Sequence, residues 1–393
     1  MGSERDPLAG RARAEGLDRD DPLAPWRDEF LVADPGIVYL DGNSLGMTPH
    51  RTVEALQHVV TEQWAGDLIR SWWDNDWLRL PLAVGDTLAP VVGARPGEVA
   101  VHDSTTVCIF QLVNAALDLR HGRRVIAIDA HEFPTDRYVA EGIARLRDGE
   151  VRVGLDDLEG VDVVLRSMVD YRTAAVADVV AETERAHAAG ATIVWDLSHA
   201  AGVLDLDVHS LGIELAVGCT YKFLNGGPGS PAFTYADAAL HDRLVQPIWG
   251  WFAQRDQFDM DRPFDPRDGI ARLLNGTPGV LGLVGAREGI ALTAEAGIAA
   301  IATKARHLTA YGLELVDAGG LESPTPRDES RRAGHVAVRH PDAVTLHRRL
   351  QDRGIIVDKR DPDILRLGMS PLTTRFTDVH DAIAAIADLV NGR

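Results

Sequence analysis

Between residues 98 and 235, short apolar runs alternate with helix-like segments, and a mostly parallel sheet wound with helices on both faces is the architecture that buries such a pattern. The runs lie at 98–103, 124–129, 163–169, 192–196, 213–217 and 231–235. A helical period of apolar residues spans 105–119, and further helices separate several of the later runs. Thr192 to Trp195 is apolar or β-branched throughout and ends on Asp196, as a strand buried on both faces does when its carboxyl end carries a working group. In open α/β sheets ligands bind outside those carboxyl ends, so the polar residues that follow each run share one rim.

Two of them set the chemistry. Asp196 closes one run, and Tyr221 and Lys222 follow the next, inside a loop rich in Asn, Gly and Pro. Lysine is scarce: Lys222, Lys304 and Lys359 are the only three, and arginine supplies nearly all the remaining positive charge. A lysine between Tyr221 and Phe223 is therefore not there for solubility. An amine and a carboxylate poised on one rim suggest pyridoxal phosphate, whose Schiff-base lysine is paired with an acid at the pyridinium nitrogen.

Other rim segments fit the same ligand. Ser104, Thr105 and Thr106 stand between a strand and a long helix, where they either cap the helix or, with its free N–H groups and dipole, hold an anion such as phosphate. His131 to Tyr138, HEFPTDRY, offers Phe133 as a flat face and Asp136 as a second carboxylate. DLSH places His199 three residues after Asp196, as a site group or a capping residue. The stretch 225–231, NGGPGSP, lacks the Gly-Lys-Ser/Thr ending of a P-loop and instead lets backbone pass close to the lysine. Arg366 is either a fork for a substrate carboxylate or half of an interdomain salt bridge.

The rest of the chain frames that sheet. A brief strand is expected at 37–40, feeding the turn-rich DGNSLG, and an amphipathic helix from Thr48 and Pro49 through Thr61 with Val53, Leu56 and Val60 on one side. Half of the eight tryptophans fall in WAGDLIRSWWDNDW, as core, as a subunit interface or as a bed for a flat aromatic substrate. After a loop-rich stretch, helices at about 282–296 and on to 315 lead to strands at 335–339, 355–358 and 365–368 and helices at 343–353 and 379–390, a smaller α+β unit. The expected division is an N-terminal segment 1–36, partly disordered or packed on the small domain, a large domain 37–285 and a small domain 286–393.

Charge and cysteine content exclude some partners. A net charge of -19 repels phosphate backbones and anionic lipid, so nucleic acid and membrane surfaces are not expected partners. Two cysteines without metal-like spacing point to a reduced cytoplasm, no disulfide framework and no metal site. The first 21 residues have neither the apolar core of a signal peptide nor that of a membrane span.

Taken in order, LDGNSLG, EFPTD, DLSHAAG, TYKFLNGGPG, GWF and the segment from VDKR to SPL resemble the kynureninase family. The resemblance runs from about Tyr39 to the end. It implies the PLP-dependent transferase-like fold type I, with a seven-stranded, mostly parallel sheet in the large domain, and hydrolysis of L-kynurenine to anthranilate and L-alanine. Tryptophan catabolism by the kynurenine pathway and NAD biosynthesis are the implied setting, with 3-hydroxykynurenine as a second substrate. Lys222 would carry the cofactor, Asp196 and Asp136 would lie on the ring-nitrogen side, and Phe133 would cover the ring with Pro134 and Thr135 beside it. Thr105, Thr106, Ser167 and Tyr221 would surround the phosphate, His199 would approach the ring hydroxyl, and Tyr221 would be the acid/base. Trp251 and Thr277 match positions that reach the cofactor from a partner subunit, so a homodimer with shared sites is implied. Arg366 would hold the α-carboxylate beside Asn43 and Ser44. Ala253 and Gln254 stand where Gly-His often follows GWF, and Trp72 and Thr277 stand where relatives favouring the hydroxylated substrate place His and Asn. The weighed alternatives are a cysteine desulfurase or selenocysteine-lyase-like enzyme, and a catalytically silent cofactor-binding regulator. No cysteine follows Cys219 to take up sulfur.

Overall fold

The computed structural model describes residues 10–120, 122–259 and 261–392. Its strands are β1 (Val38–Leu40), β2 (Val99–Val101), β3 (Val125–Ile128), β4 (Glu150–Val153), β5 (Val163–Ser167), β6 (Thr192–Asp196), β7 (Leu215–Gly218), β8 (Phe233–Ala236), β9 (His335–Arg339), β10 (Ile355–Arg360) and β11 (Ile364–Gly368). Seven form one sheet in the order β2-β8-β7-β6-β5-β3-β4. Only β8 runs against its neighbours, β2 and β7. The sequence reading lacked β4, which is an edge strand with exposed Glu150 and Val153 and no buried run to mark it.

Side-chain alternation divides each central strand between two cores. Val163 and Leu165 of β5 pack on one face and Val164 on the other; in β6, Val194 joins the first face, while Ile193 and Trp195 join the second. Successive residues point to opposite faces, so Ser167 and Asp196 fall on the first face. Helices Thr105–Asp118 and Pro134–Leu146 pack on that same face, through Ile109, Leu112, Val139 and Ile143. The register pairs Ser167 with Asp196, and Asp196 with Val217, at one level of the rim.

A second sheet, β1-β10-β11-β9, lies behind helices Ile298–Ala318 and Phe376–Val390. This corrects the expected domain limits at both ends. Val38–Leu40 pairs in parallel with β10 and so belongs to the small sheet, because its side chains complete that core rather than the large one. The limit at 285 falls inside helix Val280–Ala296, whose Leu283, Val284 and Ile290 pack in the large-sheet core. Helix Arg11–Arg19 packs along Phe376–Val390, with Arg11 bonded to Asp381; residues 1–9 of the expected disordered segment lie outside the described residues.

The helix expected to run to Thr61 is His50–His58, continued by wider π-type turns over Val59–Asp67. Only part of its expected apolar side turns inward: Leu56 packs against the large-sheet core. Val53 and Val60 are exposed, whereas Thr52 and Val59 are buried, because the helix is laid against Val280–Ala296 along the line where Thr52 meets Gly285. Among the described residues no helix is long and apolar enough to cross a membrane.

The scarcity of lysine reappears in the core. Lys304 Nζ lies 2.6 Å from Asp21 with both side chains almost fully buried, and burial depresses the amine's pKa against the opposing pull of Asp21. Removing one partner of such a pair strands a charge, at a cost of about 3–5 kcal/mol. Lys304→Met is therefore expected to lower stability by about that amount in urea melts, and Lys304→Met combined with Asp21→Leu to recover much of it.

Candidate active site

Six segments gather around one cavity of about 240 Å³. Asn43 and Ser44 of the DGNSLG loop, Thr105 and Thr106 after β2, Phe133, Thr135 and Asp136 after β3, Ser167 of β5, Asp196 and His199 after β6, and Tyr221 and Lys222 after β7 all line it. Close backbone approach holds the two outermost loops together. Gly46 N–H donates to Tyr221 O at 2.8 Å, and a Cβ on Gly46 would stand 2.5 Å from Lys222 O. Only glycine fits there, which fixes DGNSLG beside the lysine.

Lys222 is the lysine of this cavity; Lys304 is tied to Asp21, and Lys359 to Asp361 on the surface. Its Nζ lies 3.0 Å from His199 Nε2. Burial, reinforced by the charges of Lys222 and Arg366, drives the His199 pKa well down, so the imidazole is neutral and accepts from the amine. His335, fully buried with its ring 5.9 Å from that of His199, is pushed down in the same way.

The two carboxylates differ. Asp136 is raised well above the usual carboxylate range by burial and then by Asp196, and its Oδ2 is buried with no hydrogen-bond partner among the described residues. Asp196 is also raised by burial, but Ser198 N–H donates to its Oδ1 at 2.8 Å and Lys222 lowers it. Two buried like charges do not both ionise readily, so the anion resides on Asp196. Burial, then Cys219, pushes the Tyr221 phenol up, which keeps its proton on at neutral pH.

Several residues that line this cavity carry buried polar atoms with no hydrogen-bond partner among the described residues: Asp136 Oδ2, His199 Nδ1, Thr105 Oγ1 and both side-chain polar atoms of Asn43. Leaving such groups unsatisfied costs about 1–3 kcal/mol each, so the cavity is built for a polar occupant. A protonated heteroaromatic ring would answer Asp196 and Asp136, and Phe133 would cover it. A phosphate would meet the first turn of Thr105–Asp118, which Ser104 caps through Val107 N–H. The expected pyridoxal phosphate thus fits the donor set. The capping and anion-binding readings of Ser104 to Thr106 are compatible, since Ser104 caps while Thr105 and Thr106 line the cavity.

Not every expected residue is brought here. Pro134 opens helix Pro134–Leu146 and is not among the lining residues. Trp251 and Thr277 contact each other, Nε1 to Oγ1 at 3.3 Å, and Thr277 lines a separate cavity with Phe252 and His102. Trp72 packs edge-on against Trp77, Trp251 and Phe252, also away from Lys222. Arg366 is fully buried behind the wall, bonded to Asp358 in its own sheet, Tyr171 O and Ser44 Oγ; the salt bridge offered as its alternative role is thus within the small sheet, not between domains.

Four lining or flanking residues were not singled out from the sequence, one of them Ser198, whose backbone N–H donates to Asp196. Tyr171 packs edge-on to Phe133 at 5.2 Å, Glu132 accepts from Ser167 N–H at 2.8 Å, and Arg360 lines the cavity. Glu132 and Arg360 sit inside quoted motifs, HEFPTDRY and VDKR, whereas Tyr171 follows the β5 rim without a motif.

A buried carboxyl with a raised pKa binds more protons folded than unfolded. Its burden on stability is absent below the unfolded value of 3.8, grows as pH rises from there toward the raised folded value, and is full above it. Asp136→Asn is therefore expected to raise the melting temperature of the cofactor-free protein at pH 7 and to flatten its decline between acid and neutral pH, read by thermal melts across pH.

Comparison with known proteins gives a consistent picture. A family model described as the kynureninase C-terminal domain matches residues 301–386. The chain is 39% identical to a kynureninase of Pseudomonas fluorescens over 392 residues, covering 95% of this chain and 94% of that one. It is 43% identical to a kynureninase of Deinococcus radiodurans over 402 residues, with 98% and 97% covered. Among solved structures, the cysteine desulfurase of Thermococcus onnurineus NA1 superposes with a TM-score of 0.79 at 19% identity, covering 100% of both chains. A C-DES mutant with glycine covalently linked to its PLP cofactor reaches 0.81 at 16% identity, covering 92% of this chain and 99% of that one. At these identities the likeness to solved structures is one of fold.

Proposed function

The chain belongs to the kynureninase family, and from that premise we propose that it is a pyridoxal-phosphate enzyme that uses water to split L-kynurenine into anthranilate and L-alanine. The convergence of Lys222, Asp196 and Asp136 on one cavity supports this reading most strongly. When bound, pyridoxal phosphate supplies an electron sink that makes the substrate's α-proton acidic.

The protein's own residues do the rest. Lys222 would hold the cofactor and its Nζ would take the substrate's α-proton, with neutral His199 accepting from that nitrogen. Asp196, held anionic by the Ser198 N–H, keeps a proton on the ring nitrogen. Thr105, Thr106 and Ser167 orient the phosphate end, Phe133 and Thr135 the ring. Tyr221, protonated at neutral pH, donates to and recovers a proton from the reacting side chain as water adds to the γ-carbonyl and the β,γ carbon–carbon bond breaks. Asn43, Ser44 and Arg366 position the amino-acid end.

Assembly as a homodimer is part of the proposal. Trp64, Trp73, Trp249 and Phe258 are each more than half exposed, with Trp73 stacked on Phe258, and exposed aromatic surface of this kind favours an interaction face. Trp72, Trp251 and Thr277, remote from this chain's own cavity, would then serve the partner's cofactor and substrate. The two buried free thiols suit the cytoplasm. The rival desulfurase reading needs a mobile cysteine, and both cysteines, Cys108 and Cys219, are buried.

The test is direct. Holoprotein mixed with L-kynurenine should release fluorescent anthranilate and L-alanine in equal amounts, with 3-hydroxykynurenine assayed alongside. Sulfide from cysteine with no anthranilate would transfer the reading to a desulfurase, and no turnover on any of these substrates to a silent binder.

A further inference from the structure

Resting on the kynurenine reading, we propose that Arg360 is a specificity-determining residue that receives the substrate's α-carboxylate together with Arg366, with Asp358 standing in for that carboxylate in the substrate-free protein. The two arginines are placed differently. Arg366 is fully buried and already makes four hydrogen bonds, two to Asp358 Oδ2, one to Tyr171 O and one to Ser44 Oγ. Arg360 lines the cavity beside Asn43, Ser44 and Lys222 and keeps 36% of its side chain exposed, although its Nε is buried with no hydrogen-bond partner among the described residues. An incoming carboxylate therefore meets the Arg360 guanidinium before that of Arg366.

One oxygen ties the pair together. Asp358 Oδ2 lies 2.7 Å from Arg366 Nε and 3.0 Å from Arg360, so a single carboxylate oxygen holds two guanidiniums. The strand register makes this possible: Asp358 faces Arg366 directly across β10 and β11, and Arg360 is two residues further along the same face of β10. Both guanidiniums share Asp358, and Asp41 is a further carboxylate within their electrostatic reach, its pKa raised by burial; the substrate's carboxylate would join this cluster as a charge-assisted partner of Arg360. Tyr171 links this cluster to the ring cover, since its ring contacts Phe133 edge-on and lies 6.0 Å from the Arg360 guanidinium. The carboxylate end is thus held at a fixed offset from the plane in which the cofactor ring would lie.

The experiment uses holoenzyme and a non-cleavable analogue, L-2-amino-4-phenylbutanoate, which keeps the carboxylate but lacks the γ-carbonyl, compared with its amide. Loss of one charge-assisted contact should weaken binding of the acid to Arg360→Gln by about 10- to 100-fold, with the amide changed less than about threefold. For L-kynurenine the same variant should raise KM by a similar factor with little change in kcat. Arg360→Lys, which keeps the charge without the planar fork, should recover part of the acid's affinity, and it carries the test should the glutamine variant not fold. Equal weakening of acid and amide, or no weakening, would overturn the assignment and leave Arg360 a structural counter-ion. Wild-type protein that binds the acid in preference to its amide but does not cleave L-kynurenine would sink the kynurenine reading while the Arg360 assignment stood.

Discussion

Lys222→Ala is expected to abolish turnover, with a loss of roughly 10³-fold or more in kcat, and to leave the fold intact. Two functions vanish together, the covalent hold on the cofactor and the base that moves the α-proton, and a positioned base alone contributes roughly 10²- to 10⁴-fold. No other amine replaces it, because Lys304 is locked on Asp21 and Lys359 lies on the surface beside Asp361. The half-buried Lys222 side chain carries little of the core, so the melting temperature of the cofactor-free variant should stay near that of wild type. Steady-state anthranilate release and thermal melts read the two halves of the prediction. A variant keeping more than a tenth of wild-type kcat would remove Lys222 from the mechanism.

Asp196→Asn is the second large effect. The asparagine has the shape of the aspartate and can still accept the Ser198 N–H with its carbonyl oxygen, but it presents no charge to a protonated ring nitrogen. Breaking a buried charge pair costs about 3–5 kcal/mol. Applied to the barrier, that is a drop in kcat of between roughly 10²- and 10⁴-fold. The neighbouring Asp136→Asn should fall by less than about tenfold, since burial and Asp196 already hold Asp136 protonated. The contrast between two adjacent carboxyls separates an electrostatic role from a general effect of altering the pocket, and comparable losses in both variants would show that the charge is shared rather than held by Asp196.

The large sheet was readable because its strands are buried on both faces and therefore apolar without interruption; Thr192–Asp196 was bounded to the residue. The rim position of Asp196, Asp136, Thr105 and Lys222 followed from the same pattern, since each comes just after a run. Local signals failed where burial is decided by something distant. Val53 and Val60 look like an inward stripe but point away from Val280–Ala296, and Glu150–Val153, at the sheet edge, has no apolar run. Arg366 was legible as a special arginine inside a strand, whereas the pairing of Arg360 with Arg366 depends on Asp358 binding both side chains across a strand register that no single segment encodes. Trp251 and Thr277 came from family resemblance alone and Trp72 from that resemblance together with the tryptophan-rich segment, and one chain's geometry leaves them at a distance from Lys222.

The most direct test of the whole account is reductive trapping of the cofactor with borohydride, followed by peptide mapping by mass spectrometry. The chain has three lysines, so the answer is discrete. One pyridoxyl group per chain on the peptide containing Lys222, absent from the Lys222→Ala protein, is the predicted result. Labelling of Lys304 or Lys359 in its place, or of no lysine at all in protein that still cleaves L-kynurenine, would contradict it.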